Sequence, residues 1–391
     1  MMQYIVKLLH YQMVIFRRKR KSNRSIQHPV SSIQYPVSSI QYPVSIAPRA
    51  ALHALRKALP HLIFLCLIFI LASCRQNNHP PIARTDFLLG TYVNITSYDT
   101  ELPEAQIDQA LDEALGVIRE IEQQTNPYDS SSFISRLNAG REEARSVPLP
   151  PRLRALAEAA LQLSNDTGGS FDFTLWPVFR RWHFESEHPQ VPPADTIHAY
   201  LPRVDFRQVQ LDSARLTVAA ATELDFSGIV KGFAVEAARE VLQSHGLENF
   251  IIDAGGNLGL NWQRAQSVEI QVRHPRREGA FWGSFPLQNS CGIATSGDYH
   301  FYFMEDGRRY HHVLDPHTGY PVAQMVSTTI IAPNATLADG YSTAVFVMGV
   351  AAGQQFIESH PELEGLMIYQ EGDSLATYLS PGLRGIFKPA W

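Results

Sequence analysis

Residues 224–256, LDFSGIVKGFAVEAAREVLQSHGLENFIIDAGG, limit what this chain can fold into more than any other stretch, because they read as turn, helix and strand with ligand-binding backbone at both joints. Val230, Phe233, Ala234, Ala237, Ala238, Val241 and Leu242 recur at three- and four-residue steps, which predicts a helix with one buried face. Asp225 or Ser227 is expected to cap its start, and Gly246 to end it in a left-handed turn. Lys231 then falls in or near the first turn, where the helix dipole disfavours a cation. Two readings fit it: a phosphate grip shared with free backbone N–H groups, or a solvated lysine that costs roughly a few tenths of a kcal/mol. The strand expected at 249–253 runs into Ala254-Gly255-Gly256, where backbone can approach a ligand closely.

Ahead of that segment the chain changes character twice. Residues 1–73 hold ten of the 33 Lys and Arg and none of the 38 Asp and Glu, so 23 bases face 38 acids from Cys74 onward, a formal charge of −15. An acidic body argues against nucleic acid as a partner, and an anionic ligand would need a metal or a lysine to help hold it. The heptapeptide SIQHPVS starting at Ser25 repeats at 32–38 and 39–45 with Tyr for His; such Ser/Pro-rich sequence builds no core. Residues 1–58 are therefore read as a disordered, repeat-containing leader outside the native product, although no methionine between Met13 and Met304 offers a later start. Within 59–73, LIFLCLIFILA is too short to span a bilayer, follows Arg56 and Lys57, and ends in Leu71-Ala72-Ser73-Cys74. That pattern fits a secretory signal with Cys74 as a lipidated first residue, or an ordinary signal cut nearby; residues 74–84 make a polar tether. Cys291 is then the one thiol of the remaining body at 85–391, so no internal disulfide is expected there.

In chain order, residues 87–98 predict a strand with a glycine break, 104–124 a helix, 133–137 a short helix and 153–165 another. Pro177 disfavours a central strand at 170–178, and the His-, Glu- and Pro-rich run 183–200 reads as a surface excursion whose His183, His188 and His198 match no metal-ligand spacing. Strands are expected at 209–211, 216–218, 268–272, 281–287, 291–295 and 326–331, a Gly/Ser/Thr turn at 293–299, and a helix at 337–348 capped by Thr336. Strand and helix signals alternate without a strict βαβ rhythm, which points to one α+β domain of mixed sheet and helices.

Two further constellations carry chemistry. In HHVLDPHTGYP, starting at His311, Asp-Pro and Gly-Tyr-Pro turns would hold His312 as a general base or as a turn-satisfying histidine. Asp339 and Thr343 stand four apart, so a helix points both oxygens to one face; that suits a hard cation such as Mg²⁺, and equally suits helix capping.

Taken in this order, from Leu89-Gly90-Thr91 to Phe346-Val347-Met348-Gly349, these motifs resemble the FAD:protein FMN transferase family, the ApbE-like lipoproteins, over nearly the whole mature chain. The resemblance implies an FAD cleft, a Mg²⁺ beside the pyrophosphate, and transfer of FMN from FAD to a threonine of an exported acceptor flavoprotein with release of AMP. It places Asp225 and Lys231 at FAD, the Gly228 carbonyl with Asp339 and Thr343 at the metal, Tyr128 beside the flavin, and Ser170-Phe171-Asp172 in a cofactor-lining turn. His312, Leu314 and Asp315 fall on its H-x-x-D-P motif. The family commonly has methionine where this chain has Leu89, leaving an apolar contact, and some members have an acid where Ser342 stands, leaving a neutral metal donor. A lipid anchor in the cell membrane, facing the periplasm or cell exterior, would hold such an enzyme near subunits of membrane redox pumps. An FAD pyrophosphatase, with water as acceptor, and a non-catalytic FAD-binding lipoprotein fit the same residues.

Overall fold

The computed structural model describes residues 80–390; the repeat, the hydrophobic run, Cys74 and the start of the tether lie outside the described residues. An eight-stranded antiparallel sheet runs through the middle, with strands in chain order: β1 (Ile82–Leu88), β2 (Thr91–Ser97), β3 (Phe250–Ala254), β4 (Asn257–Asn261), β5 (Cys291–Gly297), β6 (Met325–Ala332), β7 (Glu364–Glu371) and β8 (Ser374–Leu379). The helices α1 (Glu104–Thr125), α2 (Val230–Ser244) and α3 (Ala335–Ser359), with the helix Pro151–Asp166 expected at 153–165, bury apolar residues in one core with the sheet. The expected α+β class is the observed one.

Strand alternation builds two cores from one sheet. In β5, Ala294 packs into the helix-side core, whereas Cys291 and Ile293 join Leu260, Ile270, Trp282 and Phe285 under a three-stranded sheet formed by Val268–Arg273, Phe281–Leu287 and Lys388–Pro389. Period-two geometry sends neighbouring residues to opposite faces, so a single short strand serves both layers.

Several boundaries differ from the sequence expectation. The strand expected at 87–98 is a hairpin: Leu88 pairs with Thr91, and Leu89 and Gly90 turn with φ of 54° and 71°. Positive φ at both turn residues matches the right-handed twist of the strands, but it is costly for leucine; the Glu122 carboxylate accepts the Leu89 N–H at 2.7 Å and holds it there. Neither Asp225 nor Ser227 caps α2, whose cap position is Ile229 and has no side-chain bond. Gly246 does end it, at φ 82°. Asn334 rather than Thr336 caps α3, accepting the Leu337 N–H at 2.9 Å, and α3 continues past 348 through a break at Gly349. The turn expected at 293–299 is strand as far as Gly297, and an unforeseen hairpin, Tyr302–Glu305 with Arg308–His311, follows it.

Candidate active site

The site is built where α2 and α3 cross. Gly232, in the first turn of α2, donates its N–H to Asp339 Oδ2 of α3 at 2.8 Å, and Glu236 of α2 accepts the Ala335 N–H at the start of α3 at 3.2 Å. Each helix therefore lends a carboxylate to the orphan donors of the other. The approach requires glycine: a Cβ on Gly232 would collide with the Ala335 carbonyl and lie 2.6 Å from the Asp339 Cβ. This contact brings Lys231, half-buried one residue earlier, toward Asp339.

Asp225 and its loop pack behind the same helix end. Its Oδ1 accepts the Ser227 N–H and its Oδ2 the Ser227 hydroxyl, both at 2.9 Å, so the DFSG segment closes on itself and leaves Gly228 facing outward from the turn. Gly228 lies between Phe171 and Thr343; a Cβ there would sit 3.1 Å from the Phe171 ring and 3.6 Å from the Thr343 methyl. Its carbonyl accepts the Thr343 hydroxyl at 3.3 Å. Burial pushes the carboxyls of both Asp225 and Asp339 up, and in each case Lys231 pulls back down. For Asp339 the Gly232 N–H and Asn257 act in the same downward direction.

A hard cation fits this donor set. Two oxygens on adjacent vertices of a Mg²⁺ octahedron, with bonds of 2.0–2.1 Å, stand about 3 Å apart, close to the Gly228–Thr343 separation. Among the described residues no cluster of three or more His, Cys, Asp or Glu could hold a metal, so any cation here would rest on one carboxylate with carbonyl and hydroxyl oxygens. Ser342, fully buried, donates to the Asp339 carbonyl at 2.9 Å and meets the Ser296 hydroxyl of β5 at 2.9 Å. Ser296 also lies 3.4 Å from Thr343 Oγ1. Its role was hidden because residues 293–299 read as a turn; as a strand, they aim Ser296 at α3.

Of the adjacent histidines, His311 is structural: its Nε2 meets the Val322 carbonyl at 3.0 Å, its Nδ1 accepts the Val313 N–H at 3.3 Å, and its ring packs edge-on to Phe346. His312 is different. Its side chain is half-buried, but Nδ1 is fully enclosed without a hydrogen-bond partner. Desolvation, then His300, His311 and Lys231, push its pKa down to about 3, so the imidazole is neutral and its lone pair is unspent near pH 7. The loop behind it is fixed by Asp315, whose carbonyl accepts the Gly319 N–H at 2.7 Å and whose Oδ1 accepts the His317 N–H at 2.9 Å.

Other residues singled out in the sequence sit around this centre with plainer roles. Tyr128 is 56% exposed, its ring edge-on to Trp176 at 5.0 Å; desolvation of its hydroxyl, then Glu185 and Asp225, push the phenol up, which puts it on the Asp225 side of the site. Ser170 donates its N–H to the Thr167 carbonyl, tightening the turn that delivers Phe171. Asp172 uses Oδ1 on the Thr174 N–H (2.8 Å) and hydroxyl (2.6 Å) and Oδ2 on the Phe206 N–H (3.0 Å), so its carboxylate shapes the turn. Leu314 is buried with Val178, Trp182 and Ile197, in a separate apolar cluster. Thr91 packs beneath Gly255, where a Cβ would clash with it, so the Leu89-Gly90-Thr91 hairpin abuts the Gly255-Gly256 turn that leads to Asn257 and thence to Asp339. His183, His188 and His198 are exposed, but the run is not a surface excursion throughout: Ala194–Tyr200 is a helix whose Ile197 is fully buried against Trp182 and Leu314.

The chain is similar to known proteins over most of its length. The FAD:protein FMN transferase of Treponema pallidum is 30% identical over 331 residues, covering 79% of this chain and 90% of the relative, and that of Vibrio cholerae is 28% identical over 348 residues, covering 84% and 98%. Among solved structures, the ApbE protein of Thermotoga maritima superposes with a TM-score of 0.71 at 30% identity, covering 78% of this chain and 99% of that one. The flavinyl transferase ApbE of Pseudomonas stutzeri gives 0.69 at 27% identity, covering 79% and 97%. The model of the ApbE family matches residues 89–367, from the Leu89 hairpin through α3 and into β7, and the chain belongs to that family.

Proposed function

We propose that this chain is an FAD:protein FMN transferase that moves FMN from FAD to a threonine hydroxyl of an exported acceptor flavoprotein and releases AMP. The observation that carries the reading is the convergence of the Gly228 carbonyl, Asp339 and Thr343 beside Lys231 at the start of α2, in a chain whose relatives bear that name. Those three oxygens would hold a Mg²⁺, which when bound supplies positive charge to the pyrophosphate. Lys231 adds a further anion-favouring charge from the protein itself. In the transfer, the threonine oxygen bonds to the phosphorus on the FMN side, the bridging P–O bond breaks, and its electron pair leaves with AMP. The hydroxyl proton goes to the half-buried, neutral imidazole of His312.

The low pKa of His312 belongs to the chain without substrate. A pyrophosphate next to Lys231 would offset one of the smaller influences that depress it, while burial, the largest, stays. Asp225 keeps the DFSG turn closed and balances Lys231. Lipidation at Cys74, with the enzyme on the outer or periplasmic side of the cell membrane, belongs to the same proposal: it places the site beside acceptor subunits of membrane redox pumps.

The test is incubation of the mature domain with FAD, Mg²⁺ and the exported domain of a sodium-pumping quinone reductase acceptor subunit. Gain of one FMN in acceptor mass with equimolar AMP is expected. AMP without modified acceptor would make the chain a pyrophosphatase, and intact FAD would make it a flavin-binding lipoprotein.

A further inference from the structure

Behind the Gly228–Thr343 corner, three hydroxyls form an unbroken line between two backbone carbonyls. Thr343 Oγ1 lies 3.3 Å from the Gly228 carbonyl and 3.4 Å from Ser296 Oγ; Ser296 Oγ lies 2.9 Å from Ser342 Oγ, and Ser342 Oγ 2.9 Å from the Asp339 carbonyl. The line joins β5 to α3, since Ser296 projects from the strand while Ser342 and Thr343 are neighbours on the helix that also carries Asp339. Ser342 is fully buried, so its hydroxyl has no water to turn to. Among the described residues, none of the three hydroxyls has a further hydrogen-bond partner.

Proton counting restricts how this line can be filled. Each hydroxyl has one proton and the end carbonyls only accept, so three protons serve four contacts and one contact stays empty. Protons on either side of the empty contact point away from it, each toward its own end of the line. The two 2.9 Å contacts are filled when Ser296 donates to Ser342 and Ser342 donates to the Asp339 carbonyl. Thr343 then donates to the Gly228 carbonyl, and the longest contact, Thr343 to Ser296 at 3.4 Å, is the empty one. A cation held by the Gly228 and Thr343 oxygens is incompatible with that order, because a hydroxyl proton aimed at the carbonyl faces like charge and both oxygens need lone pairs for the metal. Thr343 has one other acceptor within reach: Ser296 Oγ, which already donates to Ser342 and has a lone pair free.

We infer that Ser296 is a positioning residue for the cation, taking the Thr343 proton when the cation binds, so that one hydroxyl rotation turns the Gly228–Thr343 corner from a closed hydrogen bond into a pair of ligands. Ser342 holds Ser296 in the accepting orientation and stays off the metal, in place of the neutral metal donor that the sequence suggested. This deepens the proposed function and rests on its cation set of Gly228, Asp339 and Thr343.

The test reads cation binding itself, from the EPR signal of free Mn²⁺, used in place of Mg²⁺ and titrated against the protein alone and with FAD. Ser296→Ala is expected to weaken Mn²⁺ binding about tenfold, the size of one hydrogen bond, and Ser342→Ala to weaken it less. The double variant is expected to bind no more weakly than Ser296→Ala, because Ser342 acts only through Ser296. Thr295→Val, which removes a 2.9 Å hydroxyl contact with Thr329 on the opposite face of the same strand, is expected to bind as the unmodified chain does. Unmodified affinity in Ser296→Ala, a further loss in the double variant, or an equal loss in Thr295→Val would overturn the proton assignment. Mn²⁺ affinity untouched by Asp339→Asn, or no saturable binding by the unmodified chain in either condition, would instead remove the cation set and this inference with it, so failure of the underlying reading is told apart from failure of this one.

Discussion

The two faces of β5 carry opposite chemistry. Cys291 and Ile293 point into an apolar sandwich with Leu260, Trp282 and Phe285, whereas Gly292 and Ser296 point at α3. On the first face every gain comes from area removed from water. On the second, side chains are kept small: a Cβ on Gly292 would clash with Asn334 and Ala335, and one on Gly259 of β4 would lie 2.6 Å from Val235. That closeness lets Asp339 reach the α2 terminus and Ser296 reach Ser342 and Thr343. Both faces bury apolar side chains, and the helix-side face also keeps the Asp339 carboxyl out of water.

Asp339→Asn should separate the two most sharply. The amide oxygen can still accept the Gly232 N–H, so the unfolding midpoint should stay within a few degrees, while Mg²⁺-dependent AMP release should fall by about 10²–10³, the size of a lost electrostatic contact to a transition state. Full activity in that variant would remove Asp339 from the metal set. Ile293→Ala tests the other face. It should cost about 2–5 kcal/mol in denaturant unfolding. AMP release well below the midpoint should be unchanged; a parallel loss of activity would mean the faces are not independent.

Smaller effects concern charge. Lys231→Met removes the cation that partly offsets the buried carboxyls of Asp225 and Asp339, so stability near neutral pH should fall while FAD affinity drops. The same change should raise the His312 pKa from about 3, since Lys231 is one of the groups that depress it; histidine NMR titration reads the shift. The sign of the pH dependence follows. With a folded value near 3 and an unfolded value near 6.5, the unfolded chain binds more protons between them, so His312 contributes stability above pH 6.5 that is lost as pH falls toward 3. Asp225 and Asp339, whose folded values are raised, act the other way and cost stability as pH rises above the unfolded carboxyl range. His312→Asn should flatten the histidine part of the curve.

The periodic residues of α1, α2 and the apolar strands were legible because burial of one face leaves a period in the sequence; the Ile107 to Ile121 set is buried, and of the α2 set Val230, Ala234, Ala237, Ala238 and Leu242 are buried while Phe233 and Val241 are half-buried. Lys231 was conspicuous for the opposite reason, standing where local helix energetics would not put it. The reading failed where a residue answers to a distant partner. Asp225 and Ser227 satisfy every local rule for a cap, yet they close their own turn and the Gly232 N–H goes to Asp339, 107 residues away. Leu89 takes a left-handed conformation that its own side chain disfavours because Glu122 holds it. Ser296 looked like loop because its Gly and Ser neighbours are turn-formers; here their smallness admits α3.

The sequence by itself determined the class of the fold, the places of the long helices, and the residue types able to meet an anion and a hard cation, since hydrophobic period and side-chain chemistry are properties of the chain. Only the tertiary structure decided that Gly228, Asp339 and Thr343 share one corner with Lys231, that His312 rather than His311 keeps a nitrogen without a hydrogen-bond partner, and that Phe301 packs against it. Those are matters of which distant backbones can come within contact, and that depends on how closely two helices and a sheet pack where glycine has removed the side chain between them.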